Sequence, residues 1–165
     1  MRPALLVVDI QNAWLDQSPE LRSSIERRVS LINDAIKLFR SRGKPLIFIS
    51  HEDKKTGVVP GSTPFEFPSS IEIREGDVRV TKRYPNSFCK TGLDSMLRKL
   101  DIDTVVIAGL SASGCVLGTF FGAIDCDFSP YLLKNGVASH SEDHVRFAEE
   151  ICDTIPLKEL EAQMH

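Results

Sequence analysis

Residues 104–116 read Thr-Val-Val-Ile-Ala-Gly-Leu-Ser-Ala-Ser-Gly-Cys-Val and join an apolar run to a turn of small residues. The run from Thr104 to Ala108 is continuous rather than alternating, which is typical of a strand buried on both faces in a parallel sheet. Gly109 breaks the run, and we predict that a helix begins at Cys115 and continues to about Ile124. A strand followed by a turn and a helix is the building unit of α/β folds.

The same alternation of strands and helices extends along the rest of the chain. Apolar runs predict strands at residues 5–8 and 45–49, and we predict two further strands at residues 77–81 and 128–133. Capping patterns predict three more helices, one of them a long helix from Ser18 that Gly43 stops, and two over residues 91–100 and 141–152. We therefore predict an α/β fold with a three-layer, doubly wound, mostly parallel sheet, formed by a single domain over residues 1–165.

The composition limits the partners that the chain can have. Its 165 residues carry a net charge of −3, with acidic and basic side chains scattered throughout. This pattern offers neither a basic stripe for nucleic acid nor an amphipathic anchor for a membrane. The first apolar run is too short for a signal sequence or a membrane span, so we predict a cytoplasmic protein. The cysteines form no Cys-x-x-Cys pair, which predicts free thiols.

Three reactive side chains follow predicted strands. Asp9 ends the first strand, Lys82 ends the third and Cys115 follows the fourth. The carboxyl ends of parallel strands meet at one edge of a sheet, where ligands bind in doubly wound folds, so we expect these side chains to lie together. A lysine ammonium and a helix N-terminus should lower the pKa of the Cys115 thiol by about one unit or more. Asp9 could then accept the thiol proton and pass it to a departing amine.

Three local motifs, in order, carry a resemblance to a known family. They are Val7-Val8-Asp9-Ile10-Gln11-Asn12, then Lys82-Arg83-Tyr84-Pro85-Asn86-Ser87-Phe88 with Thr91 and Leu93, and then Val106-Ile107-Ala108-Gly109 leading to Cys115, Val116 and Thr119. With them, nearly the whole chain resembles the isochorismatase-like cysteine hydrolases. That family includes nicotinamidases, N-carbamoyl amidohydrolases, biuret and ureidoacrylate hydrolases, and isochorismatase itself.

The resemblance implies a fold and a set of catalytic residues. The fold would be the family's doubly wound sheet, with a Rossmann-like strand order. Asp9, Lys82 and Cys115 would be the catalytic triad. A cis peptide bond would join Leu110 to Ser111, and the backbone N–H groups of Ser111 and Cys115 would form an oxyanion hole.

Further residues are candidates for the substrate pocket because they lie in the motifs or in the loops beside them: Gln11, Trp14, His51, Tyr84, Phe88 and Ala112. Several of them also have a simpler interpretation. Gln11 could orient Asp9 or the loop backbone, and His51 could form a local hydrogen bond at the rim of the cleft. Aromatic residues in loops beside a core usually just pack against it.

The resemblance also bears on metals and cofactors. Nicotinamidases bind a divalent metal through an Asp-x-His motif after the second strand and through further histidines. This chain has His51-Glu52-Asp53 at that place and no other histidine before His140, so we predict neither a metal nor a cofactor. A small amide, ureide or carbamoyl compound is therefore a better substrate candidate than nicotinamide. Isochorismatase itself lacks the nucleophilic cysteine, so Cys115 also argues against its reaction.

The sequence thus predicts a cysteine hydrolase that cleaves a C–N bond of such a small molecule through a thioester at Cys115. The turn Ala112-Ser113-Gly114 is smaller and less polar than in most family members. It leaves a second interpretation open, namely a non-catalytic relative that binds a metabolite or a protein partner. The family also implies a homo-oligomer, either a dimer or a tetramer.

Overall fold

Six parallel strands form one sheet in the computed structural model, which describes residues 1–164. The strands are β1 (Pro3–Val8), β2 (Leu46–His51), β3 (Val78–Lys82), β4 (Thr104–Leu110), β5 (Ser129–Ala138) and β6 (Thr154–Ile155). They lie in the order β3-β2-β1-β4-β5-β6, so the direction of winding reverses between β1 and β4. This reversal opens a crevice at the carboxyl ends of β1 and β4, where ligands bind in doubly wound sheets.

Helices cover both faces of this sheet. Within residues 1–164 they are α1 (Asn12–Leu15), α2 (Pro19–Glu26), α3 (Val29–Ser41), α4 (Leu93–Lys99), α5 (Leu117–Asp125), α6 (Glu142–Ile151) and α7 (Leu157–Gln163). The side chains of β1 alternate between two cores. Leu5 and Val7 pack with α2, α3 and α7, whereas Leu6 and Val8 pack with α4, α5 and α6. This arrangement confirms the predicted three-layer, doubly wound α/β fold.

The prediction of one long helix after Ser18 is wrong, because the chain bends at Arg28 between α2 and α3. The helix begins as expected, with the Ser18 hydroxyl accepting from the Leu21 N–H at 3.0 Å. The Arg28 guanidinium then donates to the Ser24 carbonyl oxygen at 2.7 Å, and the Arg28 backbone N–H turns to Ile25 at 2.9 Å. The Arg28 side chain thus binds the Ser24 carbonyl oxygen, which in a continuous helix would accept a hydrogen bond from the Arg28 backbone N–H.

The second half of the chain also differs from the prediction. Residues 112–116 form an irregular turn in which Gly114 leaves helical geometry (φ −133°, ψ −107°), so the helix after Cys115 begins only at Leu117. β5 continues past its predicted end to Ala138. β6 and α7 are absent from the prediction, because β6 has only two residues and α7 has no capping side chain at its start.

The state of the cysteines and the lengths of the helices bear on two of the predictions from composition. All four cysteines, at positions 89, 115, 126 and 152, are free thiols, as predicted. The longest helix, α3, has 13 residues. Across residues 1–164, no helix combines the length and the apolar character needed to cross a bilayer.

At Gly109, the backbone of β1 leaves no room for a side chain on β4. The φ of Gly109 is +118°, and a Cβ atom built there would lie 2.1 Å from the Val8 carbonyl oxygen. We expect Gly109→Ala to lower the free energy of unfolding by about 3 kcal/mol or more, because the two strands must separate to admit the methyl group. Urea unfolding followed by circular dichroism measures this change.

Gly43→Ala is the matched control for that substitution. Gly43 also has a positive φ, +60°, but no described atom lies within 4 Å of its Cβ position. Its replacement should cost about 1 kcal/mol, which is the cost of a left-handed backbone alone. Equal losses for the two variants would show that the contact with β1 does not restrict position 109.

Candidate active site

Asp9, Lys82 and Cys115 come together at the carboxyl edge of the sheet. Asp9 follows β1, Lys82 is the last residue of β3, and Cys115 lies in the turn after β4. The side chains of Asp9 and Lys82 are only 3% and 0% exposed, and Cys115 is half-buried. A buried carboxylate, a buried ammonium and a thiol therefore share one location, although the chain separates them widely.

The Lys82 ammonium is the centre of this cluster. Its Nζ atom lies 2.8 Å from Asp9 Oδ2, 3.1 Å from Cys115 Sγ and 2.9 Å from His51 Nδ1. An ammonium group has three protons and no acceptor, so each contact uses one proton. Within residues 1–164, Asp9 Oδ1 is buried without a hydrogen-bond partner. That oxygen is the acceptor that remains free in the cluster.

His51 joins the cluster through strand pairing. β2 and β3 pair with His51 opposite Lys82, so the two side chains leave neighbouring strands side by side. Trp14 packs edge-on against the His51 ring, with 6.0 Å between the ring centroids. The sequence suggests a local hydrogen bond of His51 at the rim of the cleft. In the structure the His51 ring instead contacts the Lys82 ammonium, which is distant in sequence.

Burial dominates the electrostatics of the cluster. It raises the pKa of the Asp9 carboxyl, and the nearby Lys82 charge acts in the opposite direction. It also raises the pKa of the Cys115 thiol to about 12, with a further contribution from the negative charge of Asp9. The predicted lowering of the thiol pKa is therefore wrong, because the turn removes the sulfur from water and places it beside a carboxylate. At neutral pH the resting site holds a protonated thiol.

This electrostatic environment should make the thiol slow to alkylate. We expect iodoacetamide to react with Cys115 at neutral pH more slowly in the folded protein than in the unfolded chain, because only the thiolate is nucleophilic. The rate should rise with pH well beyond the range in which an ordinary thiol ionises. Asp9→Asn should raise the rate, since it removes a negative charge, and Lys82→Met should lower it. Peptide mass mapping over a pH series measures each rate.

The same cysteine in guanidinium-unfolded protein is the control for that experiment. It reports the reactivity of Cys115 without burial or charged neighbours. A folded-state rate that follows the unfolded-state pH profile would contradict the raised pKa, and so would variants at Asp9 and Lys82 that leave the profile unchanged.

The turn after β4 places Cys115 at the end of the crevice. The peptide bond between Leu110 and Ser111 is cis, at the position that the family resemblance implies. The Ser111 carbonyl oxygen accepts hydrogen bonds from the backbone N–H groups of Gly114 and Val116, at 2.9 and 3.2 Å. These bonds hold a tight turn that keeps Ser111 and Cys115 on the same cavity.

A cavity of about 300 Å³ opens over the cluster. Its lining includes Asp9, Trp14, His51, Leu110, Ser111 and Cys115. The volume is at the small end of the range for small-molecule sites, and a mixture of apolar walls with a few polar groups is typical of such sites. Of the predicted pocket residues, Trp14 and His51 are the two that line this cavity.

Gln11 is buried and does not line the cavity, but it forms hydrogen bonds with two residues that do, Trp14 and His51. Its Nε2 atom donates to the carbonyl oxygens of His51 and Phe65, both at 3.0 Å. Its Oε1 atom accepts from the His51 backbone N–H at 2.8 Å and from the Trp14 indole N–H at 3.0 Å. All of its donors and both lone pairs are used, so Gln11 is not available to a substrate. The structure thus assigns it the alternative role of orienting the loop backbone.

Tyr84, Phe88 and Ala112 also lie outside the cavity, contrary to the prediction. Tyr84 is exposed and contacts Lys90, whose ammonium is 5.2 Å from the Tyr84 ring centroid. Phe88 stacks on Phe128 in the core, with 5.6 Å between ring centroids. Ala112 is buried in the same core. Core packing therefore accounts for Phe88 and Ala112, and surface contacts account for Tyr84.

Three lining residues are absent from the prediction, namely Gln17, Leu21 and His140. His140 lies two residues beyond the carboxyl end of β5, which is at Ala138. The predicted strand ends at Leu133, so the rule of strand ends would have indicated Lys134 instead. His140 is also exposed. Gln17 and Leu21 stand at the start of α2, and their position over the cavity depends on helix packing, for which the sequence carries no signal.

Asp9, His51 and Cys115 have the side chains of a metal site, and their ligand atoms lie within 4.8 Å of one another. The same three groups, however, surround the Lys82 ammonium at distances from 2.8 to 3.1 Å. A metal ion among them would repel that ammonium at short range. The three side chains are therefore suited to the Lys82 ammonium, the cation that already contacts them.

Comparison with known proteins gives a family match over most of the chain. Residues 3–151 match the family model described as an isochorismatase domain. Among curated proteins, YrdC of Bacillus subtilis, described as an uncharacterized isochorismatase family protein, is 29% identical over 140 residues. Those residues are 84% of this chain and 74% of YrdC.

Solved structures resemble the chain over at least 92% of its length. An isochorismatase-like hydrolase from Alkaliphilus metalliredigens has a TM-score of 0.89 and 23% identity, with all of both chains covered, and this likeness shows the fold alone. An N-carbamoylsarcosine amidase from Thermoplasma acidophilum has a TM-score of 0.77 and 27% identity, with 92% of each chain covered.

Proposed function

Because the chain belongs to the isochorismatase family, we propose that it is a cysteine hydrolase that cleaves the C–N bond of a small amide, ureide or carbamoyl compound. The observation that carries the proposal is the Lys82 ammonium, which contacts Asp9 and the Cys115 sulfur at 2.8 and 3.1 Å beside a cavity. Burying an ion pair costs free energy, so a thiol with a purely structural role has no need of one. Similarity to an N-carbamoylsarcosine amidase supports the type of bond.

In the proposed first step, Asp9 takes the proton of the Cys115 thiol while the sulfur attacks the carbonyl carbon of the substrate. The unpartnered Asp9 Oδ1 is available for that proton. Burial raises the pKa of Asp9, which makes its carboxylate a stronger base than an ordinary aspartate. A thiol that is protonated at rest fits this order of events, because its proton leaves as the attack occurs. Lys82 stabilises the negative charge that develops on the sulfur.

The C–N bond then breaks as the tetrahedral intermediate collapses. The backbone N–H groups of Ser111 and Cys115 would hold the oxyanion, and Asp9 would return its proton to the departing nitrogen. Ammonia or an amine leaves, and the acyl group stays on the sulfur as a thioester. Asp9 next removes a proton from water, which attacks the thioester and restores the thiol. One water is consumed for each C–N bond broken.

The proposal is tested by measuring the release of ammonia or amine from a panel of primary amides, ureides and N-carbamoyl compounds. We expect hydrolysis of at least one of these classes. Rapid acid quenching followed by intact-protein mass spectrometry should show the acyl adduct, and peptide mapping should place it on Cys115. A protein that hydrolyses no member of the panel and forms no adduct would instead support the non-catalytic interpretation.

A further inference from the structure

The His51 ring is bound at one nitrogen and free at the other. Its Nδ1 atom lies 2.9 Å from the Lys82 ammonium, and Gln11 holds both the N–H and the carbonyl of its backbone. No hydrogen bond within residues 1–164 uses Nε2, and the residue lines the cavity together with Cys115. One edge of the ring is therefore fixed by the protein, and the other remains for a ligand.

The ammonium determines which nitrogen of this ring carries the proton. Lysine has only donors, so His51 Nδ1 must be an acceptor and cannot itself be protonated. Burial lowers the pKa of His51, and the Lys82 charge lowers it further, against the opposing effects of Asp9 and Asp53. The ring is then neutral at physiological pH, and its proton lies on Nε2. His51, which lines the cavity, thus provides a hydrogen-bond donor of fixed orientation.

From this geometry we infer that His51 donates a hydrogen bond through Nε2 to a second acceptor on the substrate, outside the carbonyl that reacts. The inference rests on the proposed function, because it assumes a substrate in the cavity. β2 lies on the side of β1 opposite to β4, so His51 and the turn that holds Cys115 flank Asp9 from opposite sides. The turn can hold the oxyanion while His51 binds a different atom. The substrate class is therefore narrowed to C–N compounds that carry a second hydrogen-bond acceptor, such as a carbonyl or carboxylate oxygen.

Nuclear magnetic resonance on protein labelled with ¹⁵N in histidine tests the tautomer directly. The chain has four histidines, and His51→Gln identifies the His51 signals by their loss. At neutral pH we expect an unprotonated Nδ1 and a protonated Nε2, and Lys82→Met should shift the Nδ1 signal. A proton on Nδ1, or a doubly protonated ring, would overturn the inference. This measurement needs no substrate, so its result is independent of the proposed function.

The substrate preference is tested with two amides of the same shape. Succinamate ends in a carboxylate, and 4-methylpentanamide has an isopropyl group in its place. We expect the wild type to prefer succinamate in kcat/KM, and His51→Phe to reduce that preference roughly 10- to 100-fold, mainly through KM. His51→Gln, which keeps an amide N–H, should recover part of the loss.

His140→Phe is the matched control, since it replaces the other imidazole that lines the cavity. It should leave the ratio of the two kcat/KM values unchanged. A preference that survives His51→Phe, or one that is lost with His140→Phe instead, would overturn the inference. If neither amide is hydrolysed, the two are compared by their protection of Cys115 from iodoacetamide, and the same ratio is expected for binding. Absence of turnover across the whole panel would count against the proposed function, whereas equal protection by the two amides would count against the role of His51.

Discussion

Cys115→Ala should reduce the turnover of any substrate that the protein hydrolyses by at least about 10³-fold. The proposed thioester needs the sulfur, and without it the site can only direct water at an unactivated amide. KM should change little, because the sulfur forms its bond after the substrate has bound. Steady-state release of ammonia measures the loss, and the acyl adduct should disappear from the mass spectrum of the quenched protein.

Cys126→Ala provides the control for this loss. Cys126 is a half-buried free thiol that follows α5 and lies outside the lining of the active-site cavity. Its replacement should leave kcat close to the wild-type value. A Cys115→Ala protein with full turnover would refute the nucleophilic role, and an equal loss in both variants would point to a general effect on folding.

The sheet and the meeting of the three reactive residues could be predicted because both depend on local patterns. Residues 5–8 form an uninterrupted apolar run, and all four are fully buried in β1. A polar residue that ends such a run lies at the carboxyl edge of the sheet by geometry alone. Asp9 could therefore be placed at that edge from its apolar run, and Lys82 from the alternating strand β3 that it ends.

The chemistry of the cluster could not be predicted in the same way, since it depends on burial and register. The thiol pKa depends on how far the turn withdraws Cys115 from water, and α5 begins only at Leu117 rather than at the sulfur. The contact between His51 and Lys82 depends on the register of β2 against β3 across a separation of 31 residues. No pattern within either strand specifies that register, so the tautomer of His51 emerges only from the folded chain.

Lys82→Met should abolish detectable hydrolysis and also lower the free energy of unfolding by about 3–5 kcal/mol at neutral pH. The Asp9 side chain is only 3% exposed, and Lys82 is the cation paired with it. Methionine matches the lysine stem in length and apolar character, so packing changes little while the charge is lost. The destabilisation therefore reports an uncompensated buried carboxylate. Urea unfolding and the ammonia-release assay measure the two effects separately.

The pH dependence of that destabilisation distinguishes charge from packing. Burial already raises the pKa of Asp9, and removal of the ammonium, which acts to lower it, should raise it further. A carboxyl whose pKa is higher in the folded than in the unfolded chain binds its proton preferentially when folded, so the folded state gains stability as the pH falls towards the unfolded value of about 3.9. The deficit of Lys82→Met relative to wild type should therefore shrink from neutral to mildly acidic pH. A deficit independent of pH would indicate lost packing.

Adding Asp9→Asn to Lys82→Met should restore most of the stability and none of the activity. A neutral amide needs no cation, so the double variant has no buried charge left unpaired, and the double-mutant cycle measures the coupling between the two residues. If the double variant is as unstable as Lys82→Met, the charge of Asp9 is not the cause. A stable but inactive double variant would instead mean that the fold can form without this ion pair. Because a buried pair is often no more stabilising than the apolar residues that could replace it, the pair would then be required for the chemistry at Cys115 and not for the fold.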